Sequence, residues 1–134
     1  MSPQTIVDEY INQDVEALSF EGEHFETKFT GSKFTAISMH NCRLDRVLMA
    51  KTHWKNCDFK GSTFVAHFND AVFDNCNFED VAFKGLSGQY GGLRARFNNC
   101  NFRGAKFIHV LLRASHFVEC EIDPIQFIRC DLRG

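Results

Sequence analysis

The apolar positions in the C-terminal third of the chain follow a fixed spacing. From Phe97 onward a large apolar residue returns at every fifth position, in the order Phe97, Phe102, Phe107, Leu112, Phe117, Ile122, Phe127 and Leu132. Two positions before each of these is a small or branched residue, namely Ala95, Cys100, Ala105, Val110, Ser115, Cys120, Ile125 and Cys130. This period fits neither an α-helix, whose faces recur at about 3.6 residues, nor a flat strand, whose faces alternate. A fixed period kept over many cycles predicts a repeat architecture.

The same spacing extends upstream, and we call its large apolar members the ladder residues. Before the C-terminal third they are Phe20, Phe25, Phe29, Phe34, Met39, Leu44, Met49, Trp54, Phe59, Phe64, Phe68, Phe73, Phe78 and Phe83. The steps Phe25–Phe29 and Phe64–Phe68 are one residue shorter than the others and keep the phase of everything that follows. We therefore expect local tightening at two corners rather than domain boundaries.

A glycine-rich segment at 85–95 interrupts the spacing. Glycine permits backbone angles that are closed to other residues, so the segment is either a loop or a distorted coil. The spacing favours a distorted coil in which Leu93 is a weak ladder residue and a small loop protrudes. The candidate loop residues are Gly88, Gln89, Tyr90, Gly91 and Gly92.

Residues 3–16 have the pattern of a short amphipathic helix. Ile6, Tyr10 and Ile11 share one helical face, and Pro3 suits a first helical turn. A stacked repeat leaves an open end that must be covered. We therefore predict an acidic N-terminal capping helix within residues 1–17, followed by one repeat domain over residues 18–134.

The five-residue units resemble the pentapeptide repeat family. Its pattern is visible in the units CDFKG, CNFED, CNFRG, AKFIH and CDLRG, and the resemblance covers residues 18–134. It implies an all-β solenoid, a right-handed quadrilateral β-helix in which four units make one square coil. The chain length then predicts about 5–6 coils stacked at the β spacing of about 4.8 Å.

Composition agrees with a dry interior. The chain has 15 Phe but only 2 Tyr and 1 Trp, and Phe has no polar atom to satisfy. Its six cysteines precede ladder residues by two positions and form no CxxC pair, so we interpret them as small core residues and expect no metal and no cofactor. Buried free thiols predict a cytoplasmic location. We also expect no signal peptide and no membrane association.

Charge is distributed unevenly. Residues 1–27 carry seven acids and no Lys or Arg, whereas residues 28–134 carry 15 basic and ten acidic residues, a formal charge of +5. All six histidines are expected to face solvent, and the chain has none of the common nucleophile or phosphate-loop motifs, which predicts a protein that is not an enzyme. Exposed aromatic residues for base stacking are lacking, so we expect no direct nucleic-acid binding.

The remaining candidate chemistry is protein binding. Four outward apolar residues, Leu48, Ile108, Leu111 and Ile128, form the candidate partner surface, and Ile108 and Ile128 should stack on neighbouring coils. The C-terminal coil is a second candidate contact, for a homodimer or for a partner, because an uncovered coil exposes pairing edges.

Two functions remain open. The resemblance implies a protein that shields a type II topoisomerase such as DNA gyrase from quinolones or toxins, by mimicking duplex DNA or through projecting loops. A mimic of duplex DNA needs a strongly negative surface, whereas residues 28–134 carry a formal charge of +5. The alternative is an immunity, adaptor or effector protein that binds a cognate bacterial toxin or secretion component.

Overall fold

A computed structural model describes residues 5–6, 9–122 and 125–134, and it is an all-β parallel solenoid of about six turns. The strands are β1 (Thr5–Ile6), β2 (Asp14–Glu16), β3 (Ser19–Glu21), β4 (His24–Phe25), β5 (Lys33–Thr35), β6 (Ser38–His40), β7 (Arg43–Leu48), β8 (His53–Lys55), β9 (Thr63–His67), β10 (Val72–Asp74), β11 (Ala82–Lys84), β12 (Arg96–Asn98), β13 (Ala105–Ile108), β14 (His116–Val118) and β15 (Ile125–Ile128). Among the described residues, no helix is long and apolar enough to cross a membrane.

The strands stack into four faces. Face one is the six-stranded sheet β2-β5-β8-β10-β12-β14, and face three is the seven-stranded sheet β1-β4-β7-β9-β11-β13-β15. Face two contains the pair β3-β6 and continues through isolated bridges to Glu121. Face four contains isolated bridges from Lys28 to Asp131, with the end of β7 paired to the end of β9. Each coil passes through the faces in this order, which confirms the predicted square solenoid.

The ladder residues fill the interior of the solenoid. On one face, rings of successive coils stack, as Phe83 does on Phe107 at 4.5 Å between centroids with planes 1° apart. Around one coil, rings meet edge to face, as Phe97 meets Phe102 at 5.1 Å and 76°. Both arrangements are favoured by the ring quadrupole. The core is therefore one continuous column of rings along the solenoid.

The corners contain the small residues that the spacing predicted there. Where the corner residue carries a hydroxyl, it bonds to the backbone: Ser62 Oγ donates to the Met39 carbonyl and accepts the Cys42 amide at 2.9 Å. Thr52 Oγ1 accepts the indole N–H of Trp54 at 2.9 Å. These buried hydroxyls are therefore satisfied within the wall.

The short step at Phe64–Phe68 is a local irregularity of the corner, as predicted. Asp45 pairs with Val65 and Val47 pairs with Ala66, so Arg46 has no partner in the next coil. A bulge of this kind absorbs one residue and leaves the phase of the later coils intact.

The prediction of an N-terminal helix over residues 3–16 is wrong for residues 5–6 and 9–16, which the structure describes. Thr5–Ile6 pairs with β4 and Asp14–Glu16 pairs with β5, both in parallel register. Tyr10 packs its ring on Phe29 at 5.7 Å, in the position of a ladder residue. The four-residue spacing of Ile6 and Tyr10 fits a helical turn and also fits a short repeat step. The backbone of this segment pairs with the adjacent coil, which favours the repeat step.

The glycine-rich segment is a distorted coil with a loop, but Leu93 is not its ladder residue. Gly92 donates its amide to the Leu111 carbonyl at 2.8 Å, and Phe68 donates to the Gly91 carbonyl at 2.9 Å. Gly92 therefore occupies the ladder position of its coil, in line with Phe68 of the preceding coil and Leu112 of the next. A Cβ atom at Gly92 would collide with the Phe68 ring, so the ring of the neighbouring coil takes the space of the missing side chain.

Candidate protein-binding surface

A loop of residues 85–90 projects where the chain turns from face three to face four, and we call this place the loop corner. The Tyr90 amide donates to the Gly85 carbonyl at 2.9 Å and closes the loop at its base. The next coil holds it from one side, because Gly85 donates to Ile108 at 2.8 Å and Gly88 donates to His109 at 3.0 Å. The loop is therefore fixed to the wall by backbone hydrogen bonds.

The tip of the loop is strained. Leu86, Ser87 and Gly88 follow one another with φ angles of 49°, 62° and 85°. A left-handed conformation costs roughly 1–2 kcal/mol for a residue with a Cβ atom, and Leu86 and Ser87 both have one. Leu86 is also 41% exposed. The loop tip therefore combines two consecutive left-handed residues that carry a Cβ atom with an apolar side chain exposed to solvent.

The structure places the predicted loop residues in two different settings. Gly88, Gln89 and Tyr90 belong to the loop, and the Tyr90 ring lies 4.5 Å from the ring of His67. Gly91 and Gly92 are buried in the wall of face four, where Gly91 bridges to the neighbouring coils. The protruding part therefore begins and ends earlier than predicted, at Gly85 and Tyr90.

The four predicted surface residues surround the loop corner without forming one strip. Ile108 and Ile128 are directly paired on face three, as predicted from their spacing, and Ile128 is 39% exposed. Leu111 lies on face four beneath the loop, with Cδ2 3.8 Å from the position of a Cβ atom at Gly88. Leu48 is half-buried three coils away from Leu111 in the face-four column, with His67 and Gly91 between them.

Beside the loop, face three forms an open groove of about 530 Å³ that was not predicted as a site. Leu86 and the buried Val65 supply its apolar lining. Exposed Arg43, Arg46 and Lys84 also line it. Its residues come from three coils, so their common face becomes evident only when the coil register, including the bulge at Arg46, is known.

Carboxylates of successive coils pair with histidines. Asp58 lies 2.7 Å from Nε2 of His40 and accepts the Asn77 side-chain amide at 3.0 Å. Burial raises the pKa of Asp58, but these hydrogen bonds, with the one from the Lys60 amide, together hold it below its ordinary value. His40 therefore links its coil to the next one through Asp58.

Asp74 has an equivalent arrangement on face one, with His53 at 2.5 Å and the Asn98 side-chain amide at 2.7 Å. Burial again raises the carboxyl pKa, but the hydrogen bonds from Asn98 and His53, together with the charges of His53 and Lys55, lower it, and the net shift is downward. Both links join one coil to the next.

A mixed cluster lies on face three near the N-terminal end. Ligand atoms of His24, Glu26 and Asp45 lie within 4.8 Å of one another. The guanidinium groups of Arg43 and Arg46 each approach the Asp45 carboxylate to 3.8 Å. Asp45 is thus already neutralised by cations of its own face, and the cluster is explained as an ion-pair network.

Comparison with known proteins identifies the repeats. Pentapeptide repeats match residues 95–134 with 8 copies. No curated protein matches the sequence.

Among solved structures, a trypsin-treated form of QnrB1, a plasmid-mediated fluoroquinolone resistance protein, is 21% identical with a TM-score of 0.54 over 90% of this chain and 73% of that chain. A second trypsin-treated form of QnrB1 is 24% identical with a TM-score of 0.50 over 87% of this chain and 66% of that chain. The pentapeptide repeat protein Rfr23 from the cyanobacterium Cyanothece 51142 is 13% identical with a TM-score of 0.49, over 92% and 90% of the two chains. The two QnrB1 matches show a shared fold.

Residues 95–134 carry pentapeptide repeats, and the described coils before them continue the same solenoid.

Proposed function

We propose that this protein is a non-enzymatic protein-binding module that protects a type II topoisomerase, DNA gyrase, from inhibitors or toxins. The observation that carries the proposal is the strained loop of residues 85–90, which presents exposed Leu86 from an otherwise regular solenoid. The fold shared with a fluoroquinolone resistance protein supports the choice of partner.

The charge of the body favours contact through the loop over mimicry of duplex DNA. A DNA mimic needs a strongly negative rod, whereas residues 28–134 carry a formal charge of +5. The groove beside the loop is lined by three exposed cations, Arg43, Arg46 and Lys84, and by one carboxylate, Asp45, so its net charge is positive. The partner surface that we propose is therefore the loop corner, with Leu86 as its apolar anchor and these cations at its rim.

The test is a gyrase supercoiling assay in the presence of a quinolone. Wild-type protein should restore supercoiling, and Leu86→Asn should lose most of that protection. Asn removes the apolar side chain but tolerates a left-handed backbone, so the fold should be at least as stable as before.

The matched control is Ala36→Asn, which relaxes a left-handed corner at φ 57° far along the chain from the loop. It should keep full protection. Absence of protection by the wild-type protein would reject gyrase as the partner, and equal activity of Leu86→Asn would reject the loop.

The cationic groove also favours an alternative function, an immunity, adaptor or effector protein that binds an acidic partner such as a cognate toxin or a secretion component. A pull-down from a lysate of the source organism would then retain one protein on wild type and Ala36→Asn but not on Arg43→Glu. Retention of gyrase subunits in that experiment would instead favour the first proposal.

The proposal includes a homodimer formed through the C-terminal coil. Ile122, Phe127 and Leu132 of this coil are 49%, 38% and 53% exposed, although equivalent residues of inner coils are buried. A second copy of the chain would cover them. Light scattering should report a dimer that Leu132→Asp converts to a monomer, and a monomeric wild type would contradict this part of the proposal.

We place the protein in the cytoplasm. All six cysteines are free thiols, which suits a reducing compartment. Cell fractionation with a tagged chain would test this location.

A further inference from the structure

Four cysteines stand above one another at the corner between faces one and two, and we call them the thiol column: Cys57, Cys76, Cys100 and Cys120. The backbone shows that they are in register. Asn77 donates to the Cys57 carbonyl at 2.9 Å, Asn101 to the Cys76 carbonyl at 3.1 Å and Glu121 to the Cys100 carbonyl at 3.0 Å. Adjacent members are therefore one coil apart, at the β spacing of about 4.8 Å.

The thiols are enclosed within the wall. Cys57, Cys76 and Cys100 are each 2% exposed. Burial raises the pKa of Cys76, whereas hydrogen bonds from the thiols of Cys120 and Cys76 lower the pKa of Cys100. The column is thus a row of enclosed thiols whose pKa values depend on one another.

Each thiol also faces a backbone carbonyl of the preceding coil. Cys100 Sγ lies 3.3 Å from the Phe73 carbonyl, and Cys120 Sγ lies 3.2 Å from the Phe97 carbonyl. These weak contacts position the sulfur atoms along the axis of the solenoid. Since the same contact recurs in every coil, the row is straight.

A straight row of sulfurs selects a particular ion geometry. A metal–sulfur bond is about 2.3 Å, so two collinear bonds separate their sulfur atoms by about 4.6 Å, close to the coil spacing of about 4.8 Å. Zinc requires four ligands arranged as a tetrahedron, which a row cannot provide. Soft ions that prefer thiolate ligands can accept two in a line.

A groove lies on the outside of the wall beside Cys57 and Cys76. It has a volume of about 310 Å³ and is lined by Cys57 and Cys76 together with amide side chains and Asp58. Only the wall of the corner separates the sulfur atoms from this space. The Asp58 carboxylate and the amide oxygens provide a polar entrance for a cation.

From this geometry we infer that the thiol column binds soft two-coordinate metal cations, each held between the sulfur atoms of adjacent coils. With Hg(II), two S–H bonds are replaced by two S–Hg bonds and two protons are released to solvent. The product is neutral, which suits a buried site because burying net charge is costly. The inference is independent of the proposed function.

The test uses Hg(II) alone as the probe, added to the folded, reduced chain with an excess of a competing monothiol. Two thiols on one rigid wall act at high effective concentration, so the pair should retain an ion that a single cysteine releases. Native mass spectrometry should show about two Hg(II) ions per chain, because each ion occupies two of the four thiols.

Serine substitutions test whether Hg(II) is retained by the thiol column or by any buried cysteine. Cys76→Ser leaves one adjacent pair, Cys100 and Cys120, and should retain about one ion. Cys42→Ser and Cys130→Ser are matched controls, because these residues precede ladder residues in the same way but lie at other corners. Both controls should retain the wild-type stoichiometry.

A change in thermal stability distinguishes the folded site from chelation by unfolded chains. Hg(II) should raise the melting midpoint of wild type, because a ligand that binds the folded state stabilises it. Serine fits this wall, since Ser62 is buried in the same register position. A lowered midpoint, or equal ion loss from Cys42→Ser and Cys76→Ser, would overturn the inference.

Discussion

At the residue scale, each position in a unit has one physical task. The ladder residue and the residue two before it point inward, and the residue two after it turns the corner with a positive φ. Ala36, Asn56 and Asn75 turn corners in this way, at φ 57°, 56° and 53°. Asn tolerates this conformation better than Ala, which carries the full steric penalty.

Relaxing one such corner should stabilise the protein. Ala36→Gly removes the Cβ atom from a residue at φ 57°, so we expect the free energy of unfolding to rise by about 0.5–1 kcal/mol. Ala50→Gly, at a half-buried alanine without a positive φ, should lower it by a similar amount. Urea denaturation measures both, and an unfavourable Ala36→Gly would contradict the strain.

A charge inside the column of rings should unfold the protein. Phe102 is 0% exposed and stacks on Phe78 at 4.9 Å, so Phe102→Asp places an unpaired carboxylate among rings. Arg103→Asp, at the exposed next position, should leave the circular dichroism spectrum and the melting midpoint nearly unchanged. A folded Phe102→Asp protein would be incompatible with the inward register.

At the element scale, the coil that carries the loop differs from the others because it exchanges a ladder residue for Gly92. The Phe68 ring occupies the vacated space, and Gly85 and Gly91 let the chain pass close to the backbone of the next coil. The loop can therefore leave the solenoid without breaking the stack on either side. This arrangement explains why the glycines are concentrated in one segment.

Gly92→Ala should destabilise the protein by about 1–3 kcal/mol, the usual cost of overpacking a core. The cause is the collision of the new Cβ atom with the Phe68 ring, since Gly92 does not have a positive φ. Phe68→Leu should recover part of the loss when combined with Gly92→Ala. Additive effects in this double-mutant cycle would show that the two residues do not compete for space.

At the scale of the whole molecule, stability depends on links between coils, because each coil contacts mainly its neighbours. The stacked rings provide the apolar part of these links. The carboxylate–histidine pairs Asp58–His40 and Asp74–His53 provide a polar part on two adjacent faces. Both carboxyls have pKa values below the ordinary 3.8.

Acid should therefore weaken the solenoid in a defined pH range. A carboxyl whose pKa is lower in the folded state stabilises the fold above the unfolded pKa, and this contribution is lost as pH falls through the folded value. We expect the free energy of unfolding to drop below about pH 4. The double variant Asp58→Asn, Asp74→Asn should flatten this decline in urea titrations, and an unchanged decline would exclude these links as its cause.

The sequence alone determined the repeat architecture, its inward and outward positions and the interior role of the cysteines, while the square shape of the coil was implied by the resemblance of its units to the pentapeptide repeat family. Each of these follows from a period of five, which constrains the same side chain in every coil. Hydrophobic spacing is a local property, so it can be read without knowing which coil lies next to which.

Only the tertiary structure decided the N-terminal strands, the place of Gly92 and the ends of the loop. Each of these depends on a neighbouring coil: β4 and β5 pair with the N-terminal segment, and the Phe68 ring takes the space at Gly92. The groove beside the loop and the thiol column likewise join residues from several coils. Which residues share a face depends on how many residues each coil contains. Some corners are one residue shorter or longer than others, so the alignment of neighbouring coils is known only from the stacked structure.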